Sequence, residues 1–166
     1  MKDYLRELKL QSAIEQRLAR LVGIAEALID ELDSEKIRNI DASQLRNAIA
    51  VANTAPHPAV LTNFIRYQMG RSGKPQKAWR DTGLGDKVNK QIEVDLKALA
   101  GNVATDARRG SSQEPQPDEV DEIHIRLTRL MLGFMNRYFV YKKDGADKSQ
   151  GKKGDEQRQP FRERSR

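Results

Sequence analysis

Apolar side chains recur along most of this chain at steps of three and four, the spacing that lines one face of a helix. Ile14, Leu18, Leu21, Ala25, Leu28 and Leu32 predict a long first helix over about 3–32, with a narrow seam suited to another helix and an end near Asp33. Ser43 is the expected N-cap of a second helix, over 43–54, that turns Leu45, Ala48, Ile49 and Ala52 to one side. Pro56 and Pro58 then break the chain, and the break is expected to fold the second helix against a third over 58–69. Val60, Leu61, Phe64, Ile65 and Gln68 form the inner face of that third helix, and Gly70 is the expected left-handed stop. Arg71 to Thr82 reads as a loop. A fourth helix, over 86–100, faces inward with Val88, Ile92, Leu96 and Leu99 and is expected to stop at Gly101, ahead of a polar linker over 102–118. The fifth, over 119–141, places Ile123, Leu127, Leu130, Met131, Phe134 and Tyr138 at core spacing.

The pattern therefore predicts an all-α fold: a compact bundle of about five helices in one domain, residues 1–141, followed by a basic tail over 142–166. The tail has a single aromatic and no aliphatic side chain larger than alanine. Such a segment buries too little apolar surface to offset its ordering entropy, so disorder is expected from Lys142 onward.

Composition removes several function classes. The chain contains no cysteine, which excludes disulfides, thiolate metal sites and thiol nucleophiles. Its only histidines, His57 and His124, are not in a metal-ligand spacing, so neither a metal nor a cofactor is expected. No run reaches the length of a membrane span, and the first ten residues lack a secretory pattern, so a soluble cytoplasmic protein with no membrane partner is expected.

Charge changes the picture more. The net charge of +6 is spread unevenly, at −2 over residues 1–41, +6 over 42–80, −2 over 81–141 and +4 over 142–166. Residues 42–80 contain six lysines and arginines and no acidic side chain at all. A one-signed field over 39 consecutive residues attracts polyanions, and nucleic acid is the partner it points to.

Within that stretch "NFIRYQMGRSGKPQKAWR", Asn63 to Arg80, interleaves basic and aromatic side chains. Taken alone, Arg71 to Arg80 reads as an ordinary solvated loop, and the absence of acids across the neighbouring helices reverses that order. Tyr67 and Trp79 read as core or core edge before they read as stacking platforms for bases. Gln68 reads as a buried hydrogen-bonding residue, and His57, between two prolines, as exposed. On the fifth helix Arg126, Arg129, Gly133 and Arg137 share a stripe. Two readings of its arginines stand level, contact with RNA or ion pairing with acids of the first helix. The leucine seam of the first helix reads as core, with a contact between subunits second.

Catalytic patterns are sparse. Gly83 and Gly85 are not followed by the lysine and hydroxyl that grip phosphate, and no Ser/His/Asp set is visible. Neither histidine follows an arginine at the four-to-six-residue spacing of some helical ribonucleases. A binding protein is favoured over an enzyme.

Three segments in order, "ASQLRN" (Ala42 to Asn47), "NFIRYQMGR" (Asn63 to Arg71) and "RLMLGFMNRYFVYKK" (Arg129 to Lys143), resemble the small helical subunit of type III CRISPR effector complexes, of the Csm type. The resemblance covers roughly residues 41–143. It implies an all-helical, non-catalytic protein present in several copies, lining the path of guide RNA and single-stranded target RNA beside backbone and large subunits. By motif position it makes Arg46, Arg66 and Arg71 RNA-path residues. Lys74, Lys77 and Arg80 in the adjoining loop, the Arg126, Arg129 and Arg137 stripe, and Lys142 and Lys143 complete the expected RNA-binding set. The long first helix, the Pro56–Pro58 break and the basic tail exceed the family's minimal pattern. The alternative is a free-standing helical regulator that binds nucleic acid through its backbone. The third helix offers only Asn63, Arg66 and Tyr67 for base readout, so sequence-independent contact is favoured.

Overall fold

The computed structural model describes residues 2–156, with side chains from Tyr4 to Lys148 apart from Gln76. Its elements are α1 (Lys2–Glu15), α2 (Leu18–Asp30), α3 (Ser34–Asn39), α4 (Ala42–Thr54), α5 (Pro58–Gly70), α6 (Lys74–Asp81), α7 (Leu84–Lys90), a π-helical segment (Gln91–Leu96), α8 (Lys97–Ala107) and α9 (Pro117–Glu156). The described residues contain no strand. None of their helices is long and apolar enough to cross a membrane.

Helix α9 is the axis of the molecule. Its 40 residues extend about 60 Å at 1.5 Å per residue, and α2, α3, α4, α5, α8 and the π segment all pack against it. Ile123, Leu127, Met131, Leu132, Met135 and Phe139 are buried at that seam. Leu130, Phe134 and Tyr138, expected at the centre of the face, are only partly buried. With neighbours on more than one side, α9 has a wider buried face than a single heptad stripe describes.

The helices are more numerous than the five expected. The first breaks at Gln16–Arg17, where Arg17 N bonds to Ile14 O, three residues back, at 2.9 Å. The break has a packing cause: α1 rests on α8, whereas α2 rests on α9, so one straight rod serves neither. α3 is additional, started by Asp33, whose carboxylate accepts from Lys36 N at 2.8 Å, and held by buried Ile37. Six residues are too few for periodicity to reveal.

Asp41, rather than Ser43, is the N-cap of α4, accepting from the Ser43 backbone N–H at 2.8 Å. That bond is the main cause holding the Asp41 carboxyl below its ordinary pKa. α4 and α5 pack together across the link Ala55–His57, with Pro58 in the first turn of α5. His57 caps α5, its Nδ1 accepting from Ala59 N at 3.0 Å.

Gly70 does not end α5 in the left-handed region. The only positive-φ glycines among the described residues are Gly83 (+75°) and Gly110 (+87°). The expected loop from Arg71 to Thr82 holds α6, since Pro75 suits a first helical turn and Trp79, 2% exposed, gives the helix a buried anchor. Gly83 then starts α7, which continues through the π segment into α8. Gly101 is interior to α8, and Val103, Ala104 and Ala107 beyond it are buried, so the linker contracts to 108–116.

The boundary expected at Lys142 is absent, because α9 runs on to Glu156. Lys142 bonds Asp30 at 2.7 Å, Lys143 Nζ donates to the carbonyls of Arg38 and Ile40, and Ala146 is buried. These contacts use lysine amines and one methyl group, which hydrophobic patterning does not register. The disorder expected for 157–166 lies outside the described residues.

Candidate nucleic-acid interface

The acid-free stretch becomes α4, α5 and α6. Its inward positions are filled by Leu45, Ala48, Ala52, Leu61, Ile65, Met69 and Trp79, all buried, so its charges are left for the surface. α6 packs on α5, and Arg80 reaches back to donate to Met69 O at 3.4 Å. The end of α5 and the start of α6 therefore form one corner of the molecule.

Four basic side chains of this stretch, Arg46, Arg71, Lys74 and Lys77, are exposed; Arg46 lies near enough to Asp41 to help lower that carboxyl's pKa, and none of the four makes an ion pair with an acidic side chain among the described residues. Lys74 and Lys77 stand three residues apart on one side of α6. The Arg71 guanidinium lies over the Tyr67 ring, 5.8 Å from its centroid. Tyr67 is 62% exposed, so its ring is open to solvent beside the guanidinium. Trp79 is core, and Gln68 is buried, accepting from Arg71 at 3.4 Å.

The remaining expected RNA contacts divide by partner. Arg66 is paired with Glu93 of the π segment at 2.6 Å, and Arg80 with Asp81 at 3.2 Å. In the α9 stripe, Arg126 pairs with Glu7 of α1 at 3.2 Å, the ion-pair reading of that residue. Arg129 donates to the carbonyls of Ala52 (2.8 Å) and Ala55 (3.1 Å), satisfying the C-terminal end of α4. Arg137 is exposed and sits over Phe134 at 5.7 Å. Lys142 and Lys143 are engaged with α2 and the α3 end, as described above. Tyr138 and Lys142 both donate to Asp30, which holds that carboxyl below its ordinary pKa. Arg126, Arg129, Lys142 and Lys143 are thus occupied in holding the bundle, while the corner at the α5–α6 junction is not.

A second feature lies further along α5. His57, Pro58, Ala59, Thr62, Ile92, Glu93, Lys97, Asp121 and His124 line an open cavity of about 210 Å³. His57 Nε2 faces Asp121 Oδ1 at 3.4 Å. His124 is 4% exposed and its Nε2 lies 2.7 Å from Ile92 O. A carbonyl only accepts, so Nε2 carries the proton, and burial pushes the ring pKa down and keeps it neutral. The two histidines, 67 residues apart, give no local sequence signal of this meeting. Among the described residues no group of three or more His, Asp or Glu side chains is arranged to hold a metal.

No family model, curated protein or solved structure matches this chain.

Proposed function

We propose that this protein binds single-stranded RNA through its phosphate backbone, as a non-catalytic helical small subunit of a type III CRISPR RNA-guided complex. In that role several copies line the path of the guide and target RNA beside backbone and large subunits. The observation that carries the proposal is the fate of the acid-free stretch. Its apolar positions are spent on the core, and Arg46, Arg71, Lys74 and Lys77 remain exposed with no ion pair to an acidic side chain among the described residues.

Exposed unpaired cations gain by replacing the counterions condensed on a nucleic-acid strand, a gain indifferent to sequence. The Tyr67 ring under Arg71 adds a surface on which a base of any kind can stack. A reader of duplex sequence needs several amide or guanidinium groups on one free helix face. On α5 the guanidinium of Arg66 is already paired with Glu93, which favours backbone contact.

Fluorescence anisotropy with labelled single-stranded RNAs of unrelated sequence tests the binding mode. The expected result is similar affinity for each and a log–log salt slope of about −2.8, four phosphate contacts at roughly −0.7 each. Binding unchanged between low and moderate salt overturns the proposal.

A further inference from the structure

The cavity beside α5 has a chemistry different from the basic corner. Its apolar lining is Pro58, Ala59 and Ile92, and its polar lining is dominated by acceptors. Asp121 and Glu93 each have one carboxylate oxygen engaged, toward His57 and Arg66 respectively, and one with no hydrogen-bond or ion-pair partner among the described residues. Neutral His124 donates through Nε2, which leaves Nδ1 an acceptor with no hydrogen-bond partner among the described residues. Lys97, one turn beyond Glu93, is exposed and has no ion-pair partner among them. Two carboxylates at the wall disfavour a phosphate inside the cavity, whereas N–H groups of a ligand suit them. At 210 Å³ the cavity is smaller than the roughly 300–1,000 Å³ of sites for drug-sized molecules, and it matches one flat heterocycle.

The position of the cavity connects it with RNA. Ala59, Thr62 and Arg66 lie at helical spacing on one stripe of α5. From Ala59 to Tyr67 is eight residues, about 12 Å along the axis and roughly a quarter-turn round it, a separation that a short flexible RNA strand stacked at Tyr67 can span. The helix wall opposite is the π segment, an irregularity that widens a turn and recurs at functional sites.

We propose that this cavity receives an amino-bearing nucleobase, the two hydrogens of its exocyclic N–H₂ donating to Asp121 and Glu93, with Lys97 and Arg66 at the rim toward the attached phosphate. The base comes either from the RNA bound at the α5–α6 corner, which rests on the function proposed above, or from a free nucleotide. Adenosine and purine riboside monophosphates separate the chemistry cleanly, because they share the ring and its N1 acceptor and differ only in the amino group, which purine riboside replaces with hydrogen.

Calorimetric titration with the two nucleotides is expected to show at least about tenfold tighter binding of adenosine monophosphate, tenfold being about 1.4 kcal/mol. Asp121→Ala, with its fold checked by circular dichroism, is expected to abolish the preference. A ten-nucleotide oligouridine with one adenosine at its centre then identifies the source. Tighter binding than all-uridine assigns the cavity to RNA, and equal binding assigns it to the free nucleotide. Equal affinity for the two monophosphates, or no saturable binding of either, overturns the inference. If oligouridine fails to bind at any salt while the monophosphate preference persists, the RNA reading falls and the nucleobase cavity stands.

Discussion

Replacing Glu119 with glutamine is expected to destabilise the bundle by about 2–3 kcal/mol, although residue 119 sits in the first turn of α9, a position where most side chains are dispensable. The Glu119 side chain is only 5% exposed and is held by two guanidinium groups, with Arg6 at 2.8 Å on one carboxylate oxygen and Arg108 at 2.6 Å on the other. These contacts tie α1, the end of α8 and the start of α9 together. Breaking a buried ion pair costs roughly 3–5 kcal/mol and an exposed one roughly 0–1 kcal/mol. Arg108 is 15% exposed and belongs near the first class, whereas Arg6 at 49% can return to water. Glutamine keeps one carbonyl acceptor, which places the loss between those limits. For a chain of this length it lowers the melting temperature by roughly 4–12 °C.

Glu119 also has a pH signature. Burial raises its pKa, but the Arg108 and Arg6 hydrogen bonds outweigh burial and hold it below the ordinary value of 4.5. A carboxyl whose folded pKa is depressed contributes stability above its unfolded pKa, and that stability is lost as pH falls through the folded value. Urea denaturation followed by circular dichroism should therefore show the parent and Glu119→Gln differing most at pH 6–7 and converging below pH ~4.5. A difference under about 0.5 kcal/mol at pH 7, or one that persists undiminished at pH 3, refutes the reasoning.

Arg129→Met should cost about 2 kcal/mol in the same assay, because it removes two charge-assisted hydrogen bonds from the carbonyls of Ala52 and Ala55, while RNA affinity measured below the onset of the variant's melting transition stays near the parent's. Removing residues 142–166 should lower the melting temperature by several degrees, since Lys142, Lys143 and Ala146 dock on α2 and α3; an unchanged melting curve means those contacts contribute nothing. Gly83→Ala should destabilise by roughly 1 kcal/mol through the left-handed backbone at φ +75°, with open space around it, whereas Gly101→Ala inside α8 should be neutral or stabilising.

The all-helical character and most core positions were legible in the sequence, because three-four periodicity records burial directly. Leu21, Leu45, Leu61, Val88 and Leu127 are all fully buried as that periodicity predicts. Where a helix changes partner, periodicity is silent: the α1–α2 break leaves the leucine seam continuous in sequence. Glycine and proline signals misled at Gly70, Gly101 and Pro75, since an open position tolerates glycine within a helix and proline is at home in a first turn. The basic field of 42–80 was visible as composition, but the pairing of Arg66, Arg126 and Arg129 depends on acids and carbonyls 27 or more residues away. Tyr67 was undervalued because exposure and burial alternate within one turn at the end of α5, and the cavity between His57 and His124 has no local signature at all.

The exposed cations of the acid-free stretch are tested most directly by changing Arg46, Arg71, Lys74 and Lys77 together to alanine and measuring single-stranded RNA binding across a salt series. None of the four is buried, so circular dichroism and the melting temperature should match the parent's. RNA affinity at low salt should fall by at least about tenfold and the salt slope should collapse from about −2.8 toward zero. A folded variant that binds RNA with the parent's affinity and slope contradicts the account.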